Sequence, residues 1–327
     1  MRRIGASDGL PFPRDSPDFG DYELKYLSIL IPFVLGLTVL LLSEALAAAA
    51  FVNALCQGVL FALVVCLPLY RTERMSYVDI GWPLGIVLIG LVTVAVMDGH
   101  GPRVWLIGAI YLFIGARMGF MALRHWWSGH LTVELPRYAY QRRRWKKAGK
   151  ANTMLAAQTE VIAQGAFNAS FLAFPALIIA ANPAPTFSML EGVGISIWLL
   201  SFAFEEIADR QKRRFIRVQR RVGSADSVCD IGLWAYSRHP NYFGQWMGWN
   251  GLLIAAIPAW LSLYRHESLL VWVGLGAGAA LVSYYMYNTL VYYSGAVPSE
   301  YYSVQKRPAY ADYQQRTRRF FPLPKDR

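Results

Sequence analysis

Apolar residues along this chain fall into blocks of near-membrane length, separated by short polar or basic segments. A helix needs about 20 predominantly apolar residues to cross a bilayer. On that measure the pattern predicts spans at 26–44, 50–69, 77–97, 104–123, 155–180, 188–207, 241–262 and 268–292. Only the weak separator from Ser43 to Ala50 divides the first two, so the reading is seven or eight spans. The predicted fold class is all-α, a polytopic integral membrane helix bundle. Residues 26–70 form two N-terminal apolar segments, and 71–327 hold the rest of the membrane domain with its polar loops. Residues 1–25 carry Arg2 and Arg3 but then Asp8, Pro11, Pro13, Asp15, Pro17 and Asp18, with no apolar core before Leu24. That segment reads as a loose tail and not a cleaved signal peptide.

Composition agrees with the pattern: 55% of the 327 residues are hydrophobic and 16% charged, against about 25% charged in a soluble domain. The net charge of +11 is distributed unevenly. All Lys and Arg except Arg103, Arg117 and Arg265 lie in segments that eight spans bring to one side. The positive-inside rule assigns that side, with both termini, to the cytoplasm. The expected location is thus a bacterial inner membrane or the endoplasmic reticulum. The basic charge is a topological signal with attraction for membrane lipids, and no base-stacking or soluble basic module points to nucleic acid. Cys56, Cys66 and Cys229 show no metal-ligand spacing, so no metal is expected.

Polar residues interrupt the apolar pattern in five places, and ionisable groups at such depth are costly and usually functional. Ser237-Arg238-His239-Pro240-Asn241-Tyr242-Phe243-Gly244-Gln245 opens an apolar run. Pro240 suits a first helical turn, whose free N–H groups could face an anion held by Arg238; an Arg-His pair anchoring a helix end is the plainer alternative. Asp79 lies just inside the third span. Its carboxyl could orient a substrate carbonyl or a ribose, or pair with Arg74 or Arg117. Arg117 and Arg124 are two helical turns apart, on one face. With His125 and the loop Glu134 to Tyr138 they could line a phosphate-binding groove. Glu205 and Asp209 share a face at i,i+4 ahead of the basic run Lys212-Arg213-Arg214. They could hold ribose hydroxyls or fix neighbouring arginines. The tail from Glu300 to Tyr313, aromatic and basic, could cap a nucleotide or lie on headgroups.

Ser-Arg-His-Pro-Asn-Tyr-Phe-Gly at 237–244 and Phe-Glu-x-x-Ala-Asp-x-Gln at 204–211 resemble the steroid 5-alpha-reductase superfamily, in its DUF1295 branch. Ser76-x-x-Asp79-x-x-Trp82, Arg117 to Arg124, Pro308-x-Tyr310-x-x-Tyr313 and Phe320-Phe321-Pro322 extend the resemblance over about residues 71–324. It implies an NADPH-dependent membrane reductase acting on a carbon–carbon double bond conjugated to a carbonyl, in a lipophilic, steroid-like or isoprenoid substrate drawn from the bilayer. It further implies cofactor contacts from Arg117, Arg124, Glu205, Asp209, Arg213, Arg238, His239, Asn241, Tyr242 and Gln245. Two positions depart from the resembled pattern. Gln245 stands where related sequences carry Glu. The Glu–Tyr pair of the steroid reductases has no obvious counterpart, leaving Asp79 as the acid and Tyr111 or Tyr77 as the phenol. Two alternatives stand beside the reductase. One is an isoprenylcysteine-type methyltransferase using S-adenosylmethionine, which has a similar Arg-His-Pro-x-Tyr element. The other is a noncatalytic lipid- or sterol-binding membrane protein.

Overall fold

Residues 26–129, 132–150, 152–224 and 227–324 are described by the computed structural model; the expected tail at 1–25 lies outside them. Six helices are long and apolar enough to cross a membrane: Ala47–Thr72 (α2), Met75–Val96 (α3), Gly101–Trp127 (α4), Thr153–Ala180, Pro240–Leu263 (α9) and Leu269–Lys306. Ser28–Leu42 (α1) is apolar but shorter. Met189–Arg221 (α8) is 33 residues long, its first half the expected span at 188–207 and its second half a basic extension. The all-α, multi-pass architecture read from the hydropathy blocks is what the chain adopts. Three shorter helices sit at the basic end: Pro136–Lys147 (α5), Ala296–Lys306 (α11) and Tyr310–Arg316 (α12).

The span expected at 155–180 is divided. Thr153–Ala169 (α6) stops at Ser170, whose φ of −111° and ψ of −92° leave the helical region, and Ala173–Ala180 (α7) restarts the chain. All eight residues of α7 are buried. It is the axial post of the bundle, touching α2, α3, α4, α9 and Leu269–Asn288 (α10). An element apolar on every side belongs in such a position.

Small residues decide which helices lie closest, as expected where lipid removes any hydrophobic drive for helix pairing. Along the seam of α8 and α9, a Cβ on Gly194 would stand 2.5 Å from the Gly251 carbonyl, and one on Gly251 2.7 Å from the Gly194 carbonyl. Toward the basic end of the same seam, a Cβ on Gly244 would come within 3.0 Å of the Glu205 nitrogen. Glu205 and Gln245 therefore sit side by side because Gly244 lets the two backbones meet.

The opposite end is closed by buried charge. Arg103, wholly buried, binds Glu191 and donates to the carbonyls of Asn182 (3.1 Å), Ala184 (2.7 Å) and Thr186 (2.8 Å). Glu267 accepts from Ser43 and from the backbone N–H groups of Glu44 and Ala45, both at 3.2 Å. Two of the three basic residues outside the expected cytoplasmic segments are thereby explained as structural or membrane-end groups: Arg103 ties the start of α4 to the 181–188 loop, and Arg265 follows the end of α9.

Candidate active site

A cavity of about 450 Å³ opens at the basic end, between α3, α4, α5, α8, α9 and the end of α10. Its lining combines apolar side chains, Trp82, Pro83, Met118 and Leu290 among them, with a set of polar ones. A side chamber of about 30 Å³ shares Arg117, Glu205 and Gln245 with it and reaches Trp198 and Trp249.

One polar wall is built by the loop after α4. Glu134 accepts from the Met75 N–H (3.1 Å) and the Ser76 hydroxyl (2.8 Å), while the Leu135 N–H donates to Ser76 Oγ at 3.1 Å. This reciprocal clasp caps α3 and delivers α5 against it. Arg137 then pairs with Asp79, and the Tyr138 hydroxyl donates to Asp79 Oδ1 at 2.6 Å. Asp79 faces the cavity as expected, but its partner is Arg137, neither Arg74 nor Arg117. Burial, reinforced by the Asp79 charge, pushes the Tyr138 phenol well above its ordinary value, so it holds its proton.

The other wall belongs to α8 and α9. Arg117 pairs with Glu205 at 2.6 Å, and Arg213 with Glu206 at 2.8 Å. Asn241 donates to Asp209 at 3.1 Å. Tyr242 stacks on His239, ring centroids 5.1 Å apart and nearly coplanar. Asp79, Arg117, Glu205, Asp209, Arg213, Tyr242 and Gln245 thus line one space, with Asn241 bonded at its margin.

Other expected site residues lie elsewhere. Tyr111 is fully buried in the bundle core; its hydroxyl donates to the Leu172 carbonyl at 2.8 Å, satisfying the backbone at the break between α6 and α7. It does not line the cavity, and the phenol at the cavity is Tyr138. Arg124 is exposed at the end of α4, outside the lining. Arg238 and His239 turn toward the C-terminal segment. Arg238 meets Glu300 through Nε at 2.8 Å and Nη2 at 3.1 Å, and donates to the Gln314 and Thr317 carbonyls. His239 Nε2 is 3.2 Å from Glu300. Arg137 and Tyr138 had been read only as part of a groove-lining loop; the signal for them was Glu134 close before them, a carboxylate able to reach back to Ser76.

Burial lowers the His239 pKa, outweighing the opposing pull of Glu300, so the imidazole is neutral. The unfolded chain takes up that proton near pH 6.5 and the folded chain only at lower pH. The stabilising contribution of the neutral ring is complete above about pH 6.5 and fades as pH falls through the lowered value. Melting temperature in detergent should therefore drop between pH 7.5 and 5.5, and less so in His239→Gln. An equal drop in both proteins would remove His239 as the cause.

Two buried polar atoms beside the cavity have no hydrogen-bond partner: Arg117 Nε, a donor, and Asn241 Oδ1, an acceptor. Gln57, His100, Glu160 and Asn168 carry such atoms too, and those that border a cavity are open to a ligand group or to water. A carboxamide or ribose hydroxyl, each with a donor and an acceptor, has the matching chemistry. No group of His, Cys, Asp and Glu among the described residues could hold a metal ion.

The family described as "protein of unknown function (DUF1295)" matches residues 69–317. No curated protein and no solved structure matches the chain.

Proposed function

The chain belongs to the DUF1295 family, and on that premise we propose that it is a membrane-embedded, NADPH-dependent reductase of a carbon–carbon double bond conjugated to a carbonyl in a lipophilic substrate. The observation that carries this reading is the cavity itself, whose lining combines the Arg137–Asp79–Tyr138 cluster and apolar side chains with Arg117, Glu205, Asp209 and Gln245.

Bound NADPH would supply a hydride to the β-carbon of the enone, leaving negative charge on the carbonyl oxygen. The protein's part is electrostatic. Arg137 offers N–H donors where that charge develops, the Tyr138 O–H can exchange its Asp79 acceptor for the carbonyl oxygen, and fixed donors in a poorly solvated site act more strongly than water does. Asp79 holds both donors in place through its two oxygens. Asn241 Oδ1 and Arg117 Nε offer the acceptor and donor that a nicotinamide carboxamide requires, and Glu205 and Asp209 suit ribose hydroxyls. Gln245, an amide, can orient a carbonyl or carboxamide but moves no proton. Trp82, Pro83, Met118 and Leu290 exclude water from the reacting carbons. The large apolar side chains exposed on α4, among them Phe120 and Met121, leave the route to the cavity in contact with lipid, as a bilayer-borne substrate needs. The basic end faces the cytoplasm in this reading.

Detergent-purified protein should be stabilised by NADPH and should oxidise it in the presence of a sterol or isoprenoid enone. Stabilisation by S-adenosylmethionine and not by NADPH would overturn the reductase in favour of a methyltransferase. Lipid binding without nucleotide binding would leave a noncatalytic lipid-binding protein.

A further inference from the structure

The main cavity is poorly suited to hold phosphates. It is lined by four carboxylates, Asp79, Glu205, Glu206 and Asp209, and each of its arginines is paired with one of them. NADPH carries a pyrophosphate and a 2′-phosphate, groups that draw on unpaired cations and amides. Further along α8 lies a second cavity of about 220 Å³. Asp209 lines the first and Lys212, three residues on, lines the second.

No carboxylate is among the described residues lining this second cavity, while Lys212, Arg220, Arg238 and Arg307 all are. Arg238 is neutralised by Glu300. Lys212, Arg220 and Arg307 form no ion pair with any described residue; the Lys212 ammonium instead lies 3.9 Å over the Trp234 ring. Three cations lining one cavity without an ion-pair partner repel one another, Arg307 acting on Lys212 even with the Asp209 charge nearby, an arrangement that an anion relieves. Ser299, on α11, adds a hydroxyl donor to the lining, while the Ser303 hydroxyl beside it already donates to the Ser299 carbonyl at 2.8 Å. The Tyr310 and Trp234 rings offer flat surfaces in the same space.

We propose that this second cavity is a phosphate-binding chamber that takes the adenosine-side phosphates of the dinucleotide, while the nicotinamide end occupies the first cavity. The assignment rests on the reductase reading for the identity of the ligand, and on the chamber's own charge for the phosphate. It divides the work of α8 along its length: acids toward ribose and carboxamide, Lys212 and the turns after it toward phosphate. It also accounts for a cofactor site whose main cavity has no spare positive charge.

The test uses full-length protein in detergent, with Kd for NADPH and NADH measured by calorimetry and stabilisation by inorganic pyrophosphate measured by thermal shift. Lys212→Gln combined with Arg307→Gln should weaken NADPH binding at least tenfold and abolish pyrophosphate stabilisation, and Lys212→Arg should retain both. A larger loss for NADPH than for NADH places the 2′-phosphate in the chamber; an equal loss places the pyrophosphate there. Unchanged NADPH affinity with lost pyrophosphate stabilisation would overturn the cofactor assignment and leave a site for a separate phosphate, such as a lipid headgroup; anionic-lipid nanodiscs showing variant-sensitive lipid retention would identify that source. Unchanged behaviour toward both ligands in the folded variant would eliminate the chamber altogether. Failure of the wild-type protein to bind any nicotinamide nucleotide would instead sink the reductase reading, with pyrophosphate still reporting on the chamber. Arg307→Gln alone, at a half-exposed position, keeps the test open if the double variant folds poorly.

Discussion

Asp79→Asn is expected to keep NADPH affinity while slowing single-turnover hydride transfer to an enone lipid by about 10²–10³-fold, the usual weight of a preorganised donor at a developing oxyanion. The substitution keeps the shape of the side chain but removes its charge. Arg137 then loses its counter-ion, and the Tyr138 hydroxyl, 2.6 Å from Asp79 Oδ1, loses the carboxylate that anchors its side chain. Neither donor would be held at the carbonyl oxygen when charge develops there. Tyr138→Phe should reproduce most of the loss, because it removes an O–H donor and leaves the Asp79–Arg137 pair. The two defects should not add, since both break one cluster. Wild-type turnover in both variants would dismiss the cluster from the chemistry. Loss of NADPH binding in Asp79→Asn would return Asp79 to a role in building the cavity.

The membrane architecture was legible because the bilayer imposes a length on apolar helices, and the basic segments mark one end without any knowledge of packing. The convergence of Asp79, Arg117, Glu205, Asp209, Arg213, Tyr242 and Gln245 was legible for the same reason: each interrupts an apolar block near its basic end. Pairing was not. Arg74 and Arg117 were the expected partners of Asp79, and Arg137 was delivered instead by the Glu134–Ser76 clasp, a contact between residues 58 apart in sequence. Nothing in the local sequence around Ser170 announces the break that gives Tyr111 its structural acceptor. Arg238 carried the strongest family signature, yet its guanidinium is directed by Glu300, which lies 62 residues away. A motif records which residues are needed; which partner each one faces is decided by packing between distant segments.

Glu300→Ala should be the most destabilising single change at the basic end, because of what it leaves behind. Glu300 is 3% exposed and accepts from Arg238, His239, Gln314 (3.0 Å) and Arg319 (3.3 Å). Around it, the C-terminal segment is stitched to residues 234–239: the Arg238 N–H donates to the Arg318 carbonyl at 2.9 Å, and Ser237 Oγ to the Phe320 carbonyl at 2.8 Å. The Tyr313 hydroxyl reaches the Trp234 carbonyl. Removing the carboxylate leaves Arg238, itself 6% exposed, as a buried cation with only backbone acceptors, at a cost of about 3–5 kcal/mol. Glu300→Ala should therefore melt several degrees lower and expose Arg307, Arg316 and Arg318 to trypsin. Substituting both ends, Arg238→Met with Glu300→Leu, should recover much of the loss, because a buried pair exchanged for apolar residues of similar volume leaves no uncompensated charge. If Glu300→Ala melts like the wild type and its tail resists trypsin, Glu300 does not hold the C-terminal segment. If the double substitution is worse than the single one, the buried cation is not the source of the loss.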